Sequence, residues 1–449
     1  MFYGWWDWRF LGLIVFCGIT AFAGAIGIAW VPRRKKLILT LVLLAHLLNL
    51  GVFKYLDFAI LNLNALCSIV PGSQIQIEPW RLILPVGISF YTFQALSYVI
   101  DVYRGELKPA KNLLHFFAYL SMFPQLVAGP VVRASCLLPQ LEQQITPNNK
   151  QLWDGFRLIV FGMFKKVVIA DSLSPIIFQA FSSQPNDISG ITWWIVMIFF
   201  AFQIYCDFSG YSDIARGLGK WMGYEFPVNF NHPYISTNFK EFWGRWHISL
   251  STWFRDYVYI PLGGGSKGPL KAIVFMSITM VVSGLWHGAG WSYLLWGGLH
   301  AVYLCVERLT KWPKYLRRFP FGSLISMVFV FTLTLIAWVF FRVGSVKNLS
   351  SYEQMAMAFE IIRAMLFIPQ WTLPRFSSIG ITTWSLFLCL LVFLRHGGCF
   401  LAEKSKVFKK VIHNSEGYYQ FFEPVVLSIL IVSCVFLRGS GVVFIYFQF

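Results

Sequence analysis

The chain has 449 residues, 57% hydrophobic and 13% charged, with a formal net charge of +17 and a mean hydropathy of +0.61. A soluble domain carries about a quarter charged residues, so this composition, with its long apolar blocks, excludes an ordinary soluble enzyme and predicts an all-α polytopic membrane protein. The Lys and Arg fall in short clusters beside apolar runs, as the positive-inside rule expects, and no groove-reading basic element accompanies them, so no nucleic acid is expected as a partner.

The start, Met1 to Trp8, lacks a basic n-region, and no cleavable signal peptide is expected. Residues 11–30 form a first span with Trp5, Trp6 and Trp8 as interface anchors, and Arg33-Arg34-Lys35-Lys36 marks the cytoplasm. Residues 37–53 form a second span, in which His46 reads as a packing residue. The span at 82–100 follows. In 113–132, Pro124, Gly129 and Pro130 imply a broken helix, which survives at membrane depth only where protein or water satisfies the freed backbone. Residues 156–178 are apolar but carry Lys165-Lys166 in the middle, which predicts two shorter segments or an interfacial helix.

Residues 191–206 are a clear span that runs into a polar block. Residues 270–286 and 291–305 form an out-and-back pair. The strongest basic loop occupies 307–318. A span at 324–341 precedes a long mixed connection at 342–378. A short span at 384–394, a second basic cluster at 404–410, and segments at 425–437 and 442–449 close the chain. The total is roughly ten to twelve membrane segments, some re-entrant. The basic loops place His287 at the turn away from the cytoplasm or deep in the bilayer. The eight Cys lie mostly in or beside apolar segments without a CxxC pair and read as buried thiols.

Polar chemistry gathers in residues 203–300. Asp207 and Tyr211 are four apart, as are Ser209 and Asp213, so each pair shares a helix face. These groups suit binding an ion, orienting a histidine or capping a neighbouring helix. No metal is expected, because the histidines and carboxylates lack ligand spacing. Treated as one helix, 245–257 puts Trp246, Leu250, Trp253, Phe254 and Tyr257 on one arc and Arg245, His247, Ser251 and Arg255 on the other. That pattern fits a helix lining a watery cavity, or equally one whose polar face meets headgroups. His287 ends an apolar helix between Trp286 and Gly288. An ionisable group at such a depth is a functional candidate, since a neutral imidazole can take a hydroxyl proton and return it. The competing reading is a histidine bonded to a carbonyl at a helix break. His300 reads as structural.

Three ordered stretches carry a resemblance. Tyr205-Cys206-Asp207-Phe208-Ser209-Gly210-Tyr211-Ser212-Asp213, Phe242-Trp243-Gly244-Arg245-Trp246-His247-Ile248-Ser249-Leu250-Ser251 and Leu285-Trp286-His287-Gly288 resemble the membrane-bound O-acyltransferases. The likeness is strongest to the bacterial branch that serves alginate and peptidoglycan O-acetylation and D-alanylation of teichoic acids. Residues 123–130, 164–171 and 444–449 resemble it too, so the likeness covers nearly the whole chain as one integral-membrane domain, 1–449. It implies a ring of helices around a central channel, with the donor on the cytoplasmic side and the acceptor polysaccharide outside a bacterial inner membrane. The family's invariant histidine falls on His287 and its second histidine on His247. Acetyl-CoA is the implied acyl donor, with no bound cofactor, and an extracytoplasmic SGNH-type acetyltransferase or esterase is the implied partner. Lys240, Arg245 and Arg255 are candidates to hold the donor's phosphates by charge-assisted bonds, and Asp207 and Asp213 to orient histidine or acceptor. Transfer of D-alanine and a transporter are the other readings. Family members usually carry a further hydrophobic segment before Phe2-Tyr3-Gly4-Trp5-Trp6-Asp7-Trp8, so a start placed late or a missing first span is expected here.

Overall fold

The computed structural model describes residues 4, 7–71, 76–126, 129–143, 145–346, 349–367, 380–404 and 416–441, and among them regular structure is helical throughout. Trp5, Trp6 and the segment 442–449 lie outside the described residues. Among the described residues six helices are long and apolar enough to cross a membrane: Trp8–Trp30, Pro32–Ile69, Gly190–Trp221, Pro269–His287, Gly322–Gly344 and Thr383–Glu403. The chain packs as two compact units, Met1–Leu152 with Leu218–Pro227, and Trp153–Gly217 with Val228–Phe449.

The first unit holds α1 (Leu11–Trp30), α2 (Lys35–Leu50), α3 (Leu56–Ile69) and α4 (Ile88–Arg104). His46 on α2 is fully buried, with its Nε2 2.9 Å from Thr20 Oγ1, as a packing histidine should be. The helix broken by prolines is present: α5 (Leu113–Leu120) stops, one short turn at Phe123–Leu126 follows, and α6 (Ala134–Leu141) begins after extended backbone.

In the second unit α7 (Asn149–Met163) runs through a π-helical stretch, Phe164–Ala170, into α8 (Asp171–Ser182). The sequence predicted two shorter segments or an interfacial helix around the lysine pair. The helix continues because both ammonium groups meet carboxylates. Lys166 Nζ lies 2.7 Å from Asp171 and 2.8 Å from Asp207, and Lys165 pairs with Asp213. Their partner helix α9 (Gly190–Trp221) continues past Cys206 through Asp207, Ser209, Tyr211 and Asp213. Two short helices, α10 (Phe239–Arg245) and α11 (Ile248–Phe254), precede the hairpin of α12 (Pro269–His287) and α13 (Trp291–Thr310). Then come α14 (Trp312–Leu316), α15 (Gly322–Gly344), α16 (Ser351–Leu366), α17 (Thr383–Lys404) and α18 (Glu416–Phe436). Within the stretch read as a mixed connection, α16 is a true helix. It starts at a capping box in which Ser350 and Glu353 each bond the other's backbone N–H.

Candidate functional site

His287 is the last residue of α12. The helix reaches it because 269–287 is apolar after Pro269, which needs no N–H in the first turn. Gly284 and Gly297 make the hairpin tight. A Cβ on Gly284 would run into Tyr293 O, and one on Gly297 into Met280 O. The close crossing brings Trp296 of α13 against the imidazole. His287 is 4% exposed, and its ring meets Trp286, Trp296 and Phe341 edge-on at centroid distances of 4.9, 5.0 and 5.3 Å. Trp338 of α15 stacks behind Trp296 at 5.7 Å. The imidazole is thus held in a low-dielectric aromatic cage, where a proton transfer is not diluted by bulk water.

His247 lies outside any helix. The stretch 245–257 was expected to be one helix. Instead α10 ends at Arg245, and His247 adopts the left-handed region at φ 43° before α11 starts. The break is held by backbone pairing with an earlier segment: Asn231 N donates to Arg245 O at 2.9 Å and Ile248 N to Asn229 O at 2.8 Å. The His247 ring is buried against Phe208 at 4.6 Å and sits 6.2 Å from Trp286, which touches His287. One indole therefore neighbours both imidazoles. Burial pushes the His247 ring down to about 3, so it is neutral at physiological pH. Its Nδ1 faces Asn229 Oδ1 at 3.1 Å.

Lys240, Ser251 and Arg255 line one cavity of about 650 Å³, together with Trp243, Arg308 and Lys311. Arg255 also forms a fork with Asp256, at 2.6 and 3.1 Å, while its side chain stays 60% exposed. The wall of the cavity climbs α12 to Ser283. His287 is one turn further along the same face, about 6 Å away along the axis. Trp243, also in the lining, is 5.0 Å from the buried ring of His300 and 5.8 Å from Trp296. A cation-rimmed cavity and the caged histidine are therefore neighbours along one helix.

The other candidates are distributed differently. Arg245 is tied to Glu403 of α17 by two bonds of 2.9 and 2.6 Å, to Glu241 at 3.0 Å and to Asn231 O at 3.2 Å. These bonds tie α17 to the His247 turn. Asp207, Ser209 and Asp213 gather at the lysine pair, with Ser209 Oγ 3.2 Å from Lys165 Nζ. Tyr211 is half-buried on the same helix. The edge of α9 that faces the His247 turn is Phe208 and Ser212. Ser212 accepts from Asn229 Nδ2 at 3.2 Å. Sequence reading passed over Ser212, Asn229, Arg308 and Lys311. Arg308 and Lys311 were seen only as part of a basic loop.

Residues 110–343 match the model of the membrane-bound O-acyltransferase family. A protein named "Probable alginate O-acetylase" from Azotobacter vinelandii is 38% identical over 88% of this chain and 76% of its own length. The peptidoglycan O-acetyltransferase of Helicobacter pylori is 34% identical over 78% of this chain and 70% of its own. The teichoic acid D-alanyltransferase of Bacillus subtilis is 30% identical over 56% of this chain and 67% of its own.

Proposed function

This chain belongs to the membrane-bound O-acyltransferase family, and from that premise we propose that it carries an acetyl group from a cytoplasmic donor across the membrane for O-acetylation of an extracytoplasmic polysaccharide. It is an acyltransferase and a multi-pass protein of the inner membrane, and O-acetylation is the activity named in the relatives that cover most of the chain. We read residues 1–449 as one catalytic domain with 203–300 as its core. In this reading shorter or re-entrant helices join the six long ones to give roughly ten to twelve segments ringed around a channel.

The observation that carries the site assignment is the position of His287, caged one helical turn beyond a cavity rimmed by Lys240, Arg255, Arg308 and Lys311. Acetyl-CoA fits such a cavity. Its phosphates meet the cations at the side that the basic loop at 308–318 marks as cytoplasmic, and its thioester points up α12. His287 takes the proton of the acceptor hydroxyl as the oxygen attacks the thioester carbonyl. The C–O bond forms, the C–S bond breaks, and the thiolate recovers a proton from the imidazolium. Donor and acceptor meet in one channel, so positioning supplies much of the rate. His247 is the second catalytic histidine, and Asp207, Ser209, Tyr211 and Asp213 stand on the acceptor side. In this reading an extracytoplasmic SGNH-type partner completes transfer to the polymer.

The test is ester-linked acetate on the extracellular and wall polysaccharides of a deletion strain complemented with wild type or His287→Ala at matched membrane abundance. Acetate restored by wild type and not by His287→Ala is the expected result, and the polymer bearing it names the acceptor. Full restoration by His287→Ala overturns the assignment. Acetate that never depended on the gene, with D-alanine esters lost instead, moves the activity to D-alanyl transfer. No change in either ester points to transport.

A further inference from the structure

We infer that Asn229 is a positioning residue that fixes His247 as the Nδ1–H tautomer and leaves Nε2 as the basic nitrogen. The inference rests on the catalytic reading of His247 given above. Asn229 is 1% exposed, and its Oδ1 stands before three groups: Ser249 N at 3.2 Å, Ser249 Oγ at 2.8 Å and His247 Nδ1 at 3.1 Å. A backbone N–H can only donate, so the amide atom that faces Ser249 N is the oxygen and not the nitrogen. The opposite end agrees, since Nδ2 donates to Ser212 Oγ at 3.2 Å. With the oxygen so placed, the ring atom 3.1 Å from it must carry hydrogen. A neutral imidazole has one N–H, and the remaining nitrogen, Nε2, keeps its lone pair.

The surroundings make this a held geometry and not a chance contact. Asn229 O also accepts from Ile248 N at 2.8 Å, so main chain and side chain of one residue grip both sides of His247. His247 pays a conformational cost at φ 43°, which a non-glycine residue sustains only where its partners fix it. Phe208 and Phe230 close on the ring at 4.6 and 6.1 Å and prevent it from flipping to present the other nitrogen. Ser212, on α9, completes a relay of orientation from α9 through Asn229 to the imidazole.

The test uses the full-length protein in nanodiscs, with ¹⁵N-labelled histidine and His247→Gln to assign the ring signals. Wild type is expected to show a protonated Nδ1 and a pyridine-type Nε2 for His247. A protonated Nε2 overturns the inference. In acetyl-transfer assays Asn229→Ala is expected to lower kcat by about 100-fold, the size of a general-base contribution, with the donor KM within about twofold. Asn229→Asp keeps an acceptor oxygen in place. It is expected to retain much of kcat and to bring an acid limb into the pH profile, because a carboxylate beside Nδ1 raises the proton affinity of the ring. Asn229→Ala that is as abundant and as active as wild type sinks the proposal. Full activity in His247→Ala removes the catalytic reading of His247 instead, while the ¹⁵N spectrum still decides whether Asn229 sets the tautomer.

Discussion

Trp286 sits 4.9 Å from the ring of His287 and 6.2 Å from that of His247, so a single indole neighbours both imidazoles. His287 stood out in the sequence for a physical reason, because an ionisable group among tryptophans and glycines in an apolar chain is costly to bury, whereas His247 stood out through the family resemblance. Asn229 was not legible. An asparagine in a loop has no periodicity to betray it, and its role arises only when 229–231 pairs with 245–248. Burial holds the His247 ring near 3, whereas an unfolded histidine titrates at about 6.5. Below about pH 6.5 the unfolded chain therefore binds a proton that the fold refuses, so this site's stability is complete above that pH and declines as pH falls toward 3. The matching kinetic expectation is that acetyl transfer shows no acid limb near pH 6.5 arising from His247. A pH–rate profile with such a limb, absent in His247→Gln, would count against the buried neutral ring.

Helix ends did more of the work than helix faces. The 100° arithmetic put Ser251 and Arg255 on one edge, and both do line the cavity. The same arithmetic placed His247 on that edge too, and there it failed, because the left-handed turn at 247 takes the residue off the helix. The π-helical stretch at 164–170 was equally invisible, since its lysines are tolerated only through carboxylates supplied by α8 and α9. The α12–α13 hairpin was read correctly, and its crossing gives a prediction. Gly284→Leu drives a side chain into the backbone of α13, where overpacking costs about 1–3 kcal/mol or more. Less folded protein in fluorescence-detected size exclusion, together with loss of activity in the fraction that survives, is expected. An unchanged profile with full activity contradicts the tight crossing.

Taken together, the family match from 110 to 343 and the apolar spans agree on a membrane acyltransferase. Composition alone had already reached the membrane class, but the cavity proposed for the donor required the fold, because α10, α11, α12 and α13 each supply part of its lining. The cations at its rim define a whole-protein expectation. Arg308→Gln with Lys311→Gln is expected to raise the KM for acetyl-CoA by about 10- to 100-fold, the equivalent of one or two charge-assisted hydrogen bonds, and to leave kcat nearly unchanged. Rising salt should weaken the wild type more than the double variant. Arg245→Gln should behave differently, lowering abundance by releasing α17 and sparing the donor KM of the enzyme that remains. A donor KM unmoved by the double substitution removes the phosphates from this cavity.

The lysine pair also bears on how the protein is made. Lys165 leaves the ribosome 48 residues ahead of Asp213, its ion-pair partner on α9. Until that helix arrives, the translocon meets an apolar segment in which Lys166 can pair with Asp171 but Lys165 has not yet met Asp213, and one such ammonium opposes insertion by about 2.5–3.5 kcal/mol at a helix centre. The expected consequence is that the segment settles in the bilayer together with α9, so an Asp213→Asn chain should insert less completely in a glycosylation-mapping assay than wild type, and equal insertion would contradict it. Biogenesis of this enzyme is in that sense a pairing reaction, in which the later helix delivers the counter-charge that admits the earlier one.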